Sequence, residues 1–288
     1  MEINLKKILW CCFALIVLGP LGAATSDAHV LEGPHALTLM INALSGADTL
    51  RVEQHVVIED PALSERPLEL TETLSFIFPD RFRSDTRYET TSRIFVSSHG
   101  QALTVIDGRI VSDQEGQFDS YKDLLLYHSR ELLLKALLLN HVDVGVTSLG
   151  RFDEHIAIVI GAQYPDESVP QVWVDKERFV PLRWILYPGS HNEAGDPDCL
   201  EFVYRNWKKW GDVWYPALIE SYHNHRLMRR MRVASVQANA SFSEQLLSIT
   251  HLVSIYSQPE PSQPVASPGG DVGEIQKTIN DFKKKFEP

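Results

Sequence analysis

The sequence predicts a mainly β protein of antiparallel strands with a few helices, an α+β chain in the broad sense. Three observations predict it. Long stretches alternate apolar and polar residues with period two. Turn dipeptides such as His99-Gly100 and Asp107-Gly108 separate those stretches, and the second is a strong hairpin marker. Helical patterns do not alternate with strands, which disfavours a parallel sheet built from βαβ units.

The first element is not part of the fold. Lys6 and Lys7 precede an apolar run over 8–18, Gly19-Pro20 breaks it, and Gly22-Ala23-Ala24 offers the small residues of a cleavage site. Residues 1–24 therefore read as a secretory signal peptide, and the mature chain is expected in the periplasm, exported across the cytoplasmic membrane. The run is short for a membrane span. Cys11 and Cys12 leave with the signal. Cys199 alone remains, so an internal disulfide is ruled out for the mature chain and stability must come from burial. Beside Leu200 and Phe202, Cys199 reads as a small buried hydrophobe.

Residues 34–44 place Leu37, Met40, Ile41 and Leu44 on one helical face, with Pro34 suited to the first turn and Gly46 to the stop. Period-two patterning follows over 51–113. Leu68, Leu70, Leu74, Phe76 and Phe78 share one strand face, where Glu72 is the one charge; Glu69, Thr71, Thr73 and Ser75 share the other. The stretch 119–140 is different: it is leucine-rich on every side and free of Pro and Gly. It predicts one or two helices, and a helix apolar all round must be covered on more than one face. Strand patterning resumes over 144–149, 155–161, 171–175, 179–187, 200–208, 213–222 and 227–237, with a last short strand expected over 251–256. About a dozen strands with hairpin turns fit a β-sandwich or a barrel. Residues 257–270, with Pro259, Pro261, Pro264 and Pro268, read as a linker. Residues 271–288 suggest a short C-terminal helix or a disordered tail, with Ile275, Ile279, Phe282 and Phe286 on one side.

Composition limits the function. The net charge of -11 and a pI near 5.4 argue against nucleic acid, whose binding needs clustered Lys and Arg. No G-x-S-x-G elbow, H-E-x-x-H, phosphate loop or dinucleotide fingerprint is present. No catalytic residue, metal site or cofactor is assigned. His223 and His225 flank Asn224 in a turn with no third ligand nearby. Arg226, Arg229, Arg230 and Arg232 alternate between strand faces, so they read as a solvated strand.

Four local patterns carry a family resemblance. They are Phe76-Ile77-Phe78-Pro79-Asp80-Arg81-Phe82-Arg83, Val105-Ile106-Asp107-Gly108, Val172-Trp173-Val174-Asp175-Lys176-Glu177 leading to Pro181-Leu182-Arg183, and Gly211-Asp212-Val213-Trp214-Tyr215-Pro216 followed by the strand around Val233. In order and spacing the chain resembles the LolA-like superfamily of periplasmic lipoprotein carriers and outer-membrane lipoprotein-sorting proteins. The resemblance spans nearly the whole of residues 25–256. It implies a curved antiparallel half-barrel sheet with helices lidding the concave face, and a carrier, not an enzyme, that binds lipid or lipoprotein acyl chains in an apolar cavity. The implied partners are a lipid or lipidated protein and an inner- or outer-membrane protein. A second implied role is an envelope lipid-sensing interaction protein. The family often has Arg immediately before the corner proline as a lid latch; here that position is Phe78. The apolar strand faces and the leucine-rich segment nominate the cavity residues: Leu70, Leu74, Phe76, Ile158, Ile160, Trp173, Leu182, Trp184 and Leu186 from strands, with Leu125, Leu133 and Leu137 from the helical cover.

Overall fold

The computed structural model describes residues 30–60, 66–189 and 197–256. The segments expected to be a signal peptide (1–24), a linker (257–270) and a C-terminal helix or tail (271–288) lie outside the described residues. Thirteen strands form one antiparallel sheet in the order β6-β5-β4-β3-β2-β1-β13-β12-β11-β10-β9-β8-β7. They run from β1 (Thr49–Ile58), β2 (Leu68–Ile77), β3 (Arg81–Tyr88), β4 (Thr91–Ser98), β5 (Gln101–Ile106) and β6 (Arg109–Ser112) to one edge. The other half begins at the opposite edge with β7 (Thr147–Phe152), β8 (His155–Ile160), β9 (Gln171–Asp175) and β10 (Pro181–Leu186). It returns through β11 (Leu200–Trp210) and β12 (Val213–His223) to β13 (Arg226–Ala238), which pairs with β1 in the middle.

This topology fixes where the helices go. The chain leaves the sheet at the β6 edge and must rejoin it at the β7 edge, so the connection crosses the whole sheet. It does so on one face as a 3-10 turn (Gln117–Lys122), α2 (Asp123–Leu126) and α3 (Arg130–Leu139). The N-terminal helix α1 (Gly33–Leu44) lies on the same side, with Ala36, Leu37, Met40, Ile41 and Leu44 buried. Its start can approach closely because residue 33 is glycine: a β-carbon there would lie 2.2 Å from the Val144 carbonyl oxygen.

The hairpins follow their turn chemistry. Asp107 and Gly108 both take positive φ, as do His99 and Gly100, and Asn224 and His225. That is the twist-matched geometry of two-residue loops. Register shifts at Glu53/Gln54, Thr104/Val105, Pro181/Arg183 and Ser221/Tyr222 are irregularities of the kind that bend a sheet, and β6 and β7 do not meet. The sheet is therefore a curved half-barrel, neither a sandwich nor a closed barrel.

Two expectations are corrected. Residues 251–256 are not a strand: α4 (Ile249–Ile255) forms there, capped by Ser248, and buries Leu252 against Val96, Leu103 and Val105. Six apolar-rich residues cannot separate strand from helix by pattern alone. Nor is the leucine-rich stretch covered all round. In α3 only Leu133 and Leu137 are buried, while Leu138 and Leu139 are 60% and 71% exposed.

Candidate functional site: the covered concave face

Cross-strand register assigns the faces. Leu70, Leu74 and Phe76 of β2 pair with Val56, Val52 and Leu50 of β1. Trp184 of β10 pairs with Val172 and Phe202, and Ile158 and Ile160 of β8 pair with Val174 and Val172. Leu182 and Leu186 share the parity of Trp184. These residues line the concave face under the helices, and Leu125, Leu133 and Leu137 reach them from the cover. All are buried. Rings fill the space between: Phe76 lies 4.9 Å from Phe82 and 6.2 Å from Tyr215, and Trp184 lies 6.1 Å from Phe202.

Trp173 is the correction among the nominated residues. It pairs with Arg183 and Val159, so it projects to the convex face. There its ring packs on Phe152 and Tyr164 beneath the Arg183 guanidinium, and its indole N–H donates to Gln171 Oε1. Gly150 makes room, since a β-carbon there would lie 2.8 Å from the indole. Trp173 and Trp184 are both apolar residues in strands buried on both faces, and such strands give no alternation to read.

The concave face also carries a polar strip that the pattern around Glu72 only hinted at. Gln54 Nε2 donates to Glu72 Oε2 at 2.5 Å, Thr86 donates to Oε1 at 3.2 Å, and Ser84 donates to the same oxygen. Arg93 of β4 grips Asp119 of the cover at 2.5 and 3.3 Å. Arg229 stacks its guanidinium 4.5 Å from the Phe118 ring centre, and burial pushes its pKa down against the pull of Asp119. Burial beside Glu72 pushes the Tyr121 and Tyr215 phenols up. Of the four clustered arginines only Arg229 turns inward. Arg230 joins a convex ladder with Glu220 and Glu59 at 3.2 and 2.7 Å.

Three further attachments hold the cover, besides the Arg93–Asp119 pair. Lys122 is fully buried, between Glu115 at 2.5 Å and Asp123 at 2.7 Å, with Phe82 and Phe95 flanking its ammonium. Tyr204 donates its hydroxyl to the Tyr121 carbonyl at 2.6 Å. Phe78, at the corner position, stacks on His128 in the α2–α3 loop, with centroids 3.8 Å apart and planes 11° apart. The sequence marks Phe78 as an apolar-face residue standing where the family's Arg latch would be; its partner, His128, left no local pattern. Lys122 was missed because a lone Lys beside a carboxylate usually marks a solvated face.

Among the described residues, grooves open to solvent include two of note. One of about 300 Å³ touches Leu182 among the nominated residues and otherwise runs past Asp153, His155, Asp175 and Trp207. The other, of about 1200 Å³, separates α3 from the β5–β6 edge and touches none of them. Among the described residues, no group of three or more His, Cys, Asp or Glu is placed to hold a metal ion. No described helix is long and apolar enough to cross a membrane.

No protein-family model matches the chain, and no curated protein does. Solved structures do. A domain described as an outer membrane lipoprotein-sorting protein domain, from Vibrio parahaemolyticus, is 11% identical with a TM-score of 0.52. The match covers 78% of this chain and 99% of that one. A LolA superfamily protein from Nitrosomonas europaea is 9% identical at TM-score 0.51, covering 77% and 99%. A DUF1329 family protein from Desulfovibrio piger is 11% identical at TM-score 0.50, with the same coverage. At these identities the likeness establishes the fold: the chain has the half-barrel of LolA-superfamily and lipoprotein-sorting domains.

Proposed function

We propose that the protein is a periplasmic carrier that holds the acyl chains of a lipid or lipidated protein between the concave face and its helical cover. The observation that carries this reading is how the apolar face is closed. Among the described residues no second sheet covers it; the lid is a crossing segment whose α3 buries only Leu133 and Leu137. Solved structures sharing the fold include one described as a lipoprotein-sorting domain. The signal-like residues 1–24 support export, and a membrane protein is the expected donor or acceptor.

The closed state is filled by the protein's own side chains, so a ligand must displace the cover. Lifting Leu133 and Leu137 into water costs about 1.5–3 kcal/mol each. An acyl chain taken from water returns roughly 0.8 kcal/mol per methylene, on the order of 10 kcal/mol for a long chain. A chain drawn from a bilayer is already in an apolar phase, so most of that gain cancels. Binding that is nearly balanced suits a carrier, which must release as well as bind.

Native mass spectrometry of protein purified from a bacterial periplasm tests the reading. A co-purifying acyl species, or stoichiometric uptake of added palmitate, is expected. Leu133→Asp, folded by circular dichroism, should lose at least tenfold in palmitate affinity because the cover cannot reseat a carboxylate in the apolar interior. Protein that arrives empty and takes up no palmitate contradicts the carrier.

A further inference from the structure

We propose that the groove of about 1200 Å³ between α3 and the β5–β6 edge is the docking site for this chain's own C-terminal segment, residues 274–286. The inference does not depend on whether acyl chains bind beneath the cover. The groove's lining combines apolar and acidic residues. Leu132 and Leu139 of α3, Ile110 of β6, and Ile249 and Val253 of α4 are among the apolar ones. Asp80, Asp113, Glu115 and Asp123 lie along the same groove, with Lys135 as the cation among the lining residues. Lys122, behind it, is shared by Glu115 and Asp123. Leu138 and Leu139 are 60% and 71% exposed at the end of the leucine-rich α3, so this face of the helix lacks an apolar partner among the described residues.

The segment 274–286 matches that surface in both respects. Ile275, Ile279, Phe282 and Phe286 fall at spacings of four, three and four, which is one face of a helix. Lys283 and Lys285 flank that face, opposite in sign to the groove's carboxylates, while Lys277 and Lys284 fall on the far side of the helix. A helix this short is marginal alone in water and gains its stability from packing. Connectivity favours this occupant over any free one. Ile249 and Val253 line the groove, and the described chain ends at Tyr256, immediately after α4. The proline-rich 257–270 can extend about 3.1 Å per residue, roughly 40 Å in all. That reach holds the segment at an effective concentration in the millimolar range.

The test uses the full mature chain with Leu139→Cys and Phe282→Cys, the buried Cys199 being left in place. Under mild oxidation an intramolecular disulfide is expected, identified by its linked peptides. It should form at least tenfold faster than in a control pairing Phe282→Cys with Glu69→Cys, which lies on an exposed face of β2. In a second variant, Ile279→Glu in the full chain should raise hydrogen exchange of residues 130–139 severalfold. A disulfide that joins two molecules assigns the groove to a second copy and overturns the proposal. So does a rate equal to the control, or exchange unchanged by Ile279→Glu. Protection of 130–139 that is lost on delipidation but not with Ile279→Glu assigns the groove to an acyl chain and overturns it as well.

Discussion

His128 shows how one side chain couples the cover to solution conditions. Its ring is stacked on Phe78, and burial lowers its pKa from 6.5 to about 4 against the opposing hydrogen bond to the Leu125 carbonyl. The neutral ring is therefore the form that fits the closed cover. The unfolded or lifted segment takes up a proton near pH 6.5, the closed one only near pH 4. The stacking contribution is thus complete above pH 6.5 and is lost as the pH falls toward 4. A shift of this size corresponds to about 2 kcal/mol after discounting for the ring's partial exposure. The protection of residues 123–139, taken relative to the intrinsic exchange rate at each pH, should fall on acidification from pH 7 to pH 4.5, and His128→Phe should remove most of that loss. An equal acid response in the variant would place the sensitive group elsewhere. Glu115 acts in the opposite sense: burial raises its pKa to about 7, so its protonation eases its burial as pH falls and partly offsets the His128 effect. Such tertiary pairs were not legible in the sequence. Phe78 and His128 meet only because the crossing segment passes over the β2–β3 corner.

Among the elements, α3 and α4 make a matched comparison. Each rests on a sheet face through one or two leucines, α3 on the concave side through Leu133 and Leu137, α4 on the convex side through Leu252. Leu252→Asp should destabilise the protein by about 2–4 kcal/mol, the scale of losing a buried leucine, as read by urea unfolding. It should leave palmitate affinity unchanged, whereas Leu133→Asp should lower it. Equal loss of affinity in both variants would mean that the effect is global unfolding. The sequence marked α1 and most strands well because each had an alternating or helical face with turn residues at its ends. Residues 119–140 announced helices, and Leu125, Leu133 and Leu137 are buried there. They did not announce that Leu138 and Leu139 would stay in solvent, since leucine content alone carries no direction. The short α4 was misread as a strand for lack of length.

At the scale of the whole molecule, one topological fact organises the rest. Two meanders meet at the β1–β13 pair, and the chain that joins their outer edges has to span the sheet. The alternating pattern made the antiparallel sheet legible, and the four motif-bearing corners made the half-barrel an expectation. The faces were legible on β2, where polar residues alternate with Leu70, Leu74 and Phe76. They were not legible on β9 and β10, where every residue is buried, and there Trp173 went to the convex side. The polar strip of Gln54, Glu72, Arg93 and Arg229 needed residues from four strands, which no single stretch of sequence displays.

The opposed placement of the two tryptophans also supplies the most direct test of ligand binding on the concave face. Palmitate brominated along its chain quenches indole fluorescence at short range, and its effect can be titrated in the wild type, Trp184→Phe and Trp173→Phe. The account predicts saturable quenching that is largely retained in Trp173→Phe and largely lost in Trp184→Phe. Quenching that vanishes with Trp173 instead, or an absence of saturable quenching in the wild type, would contradict it.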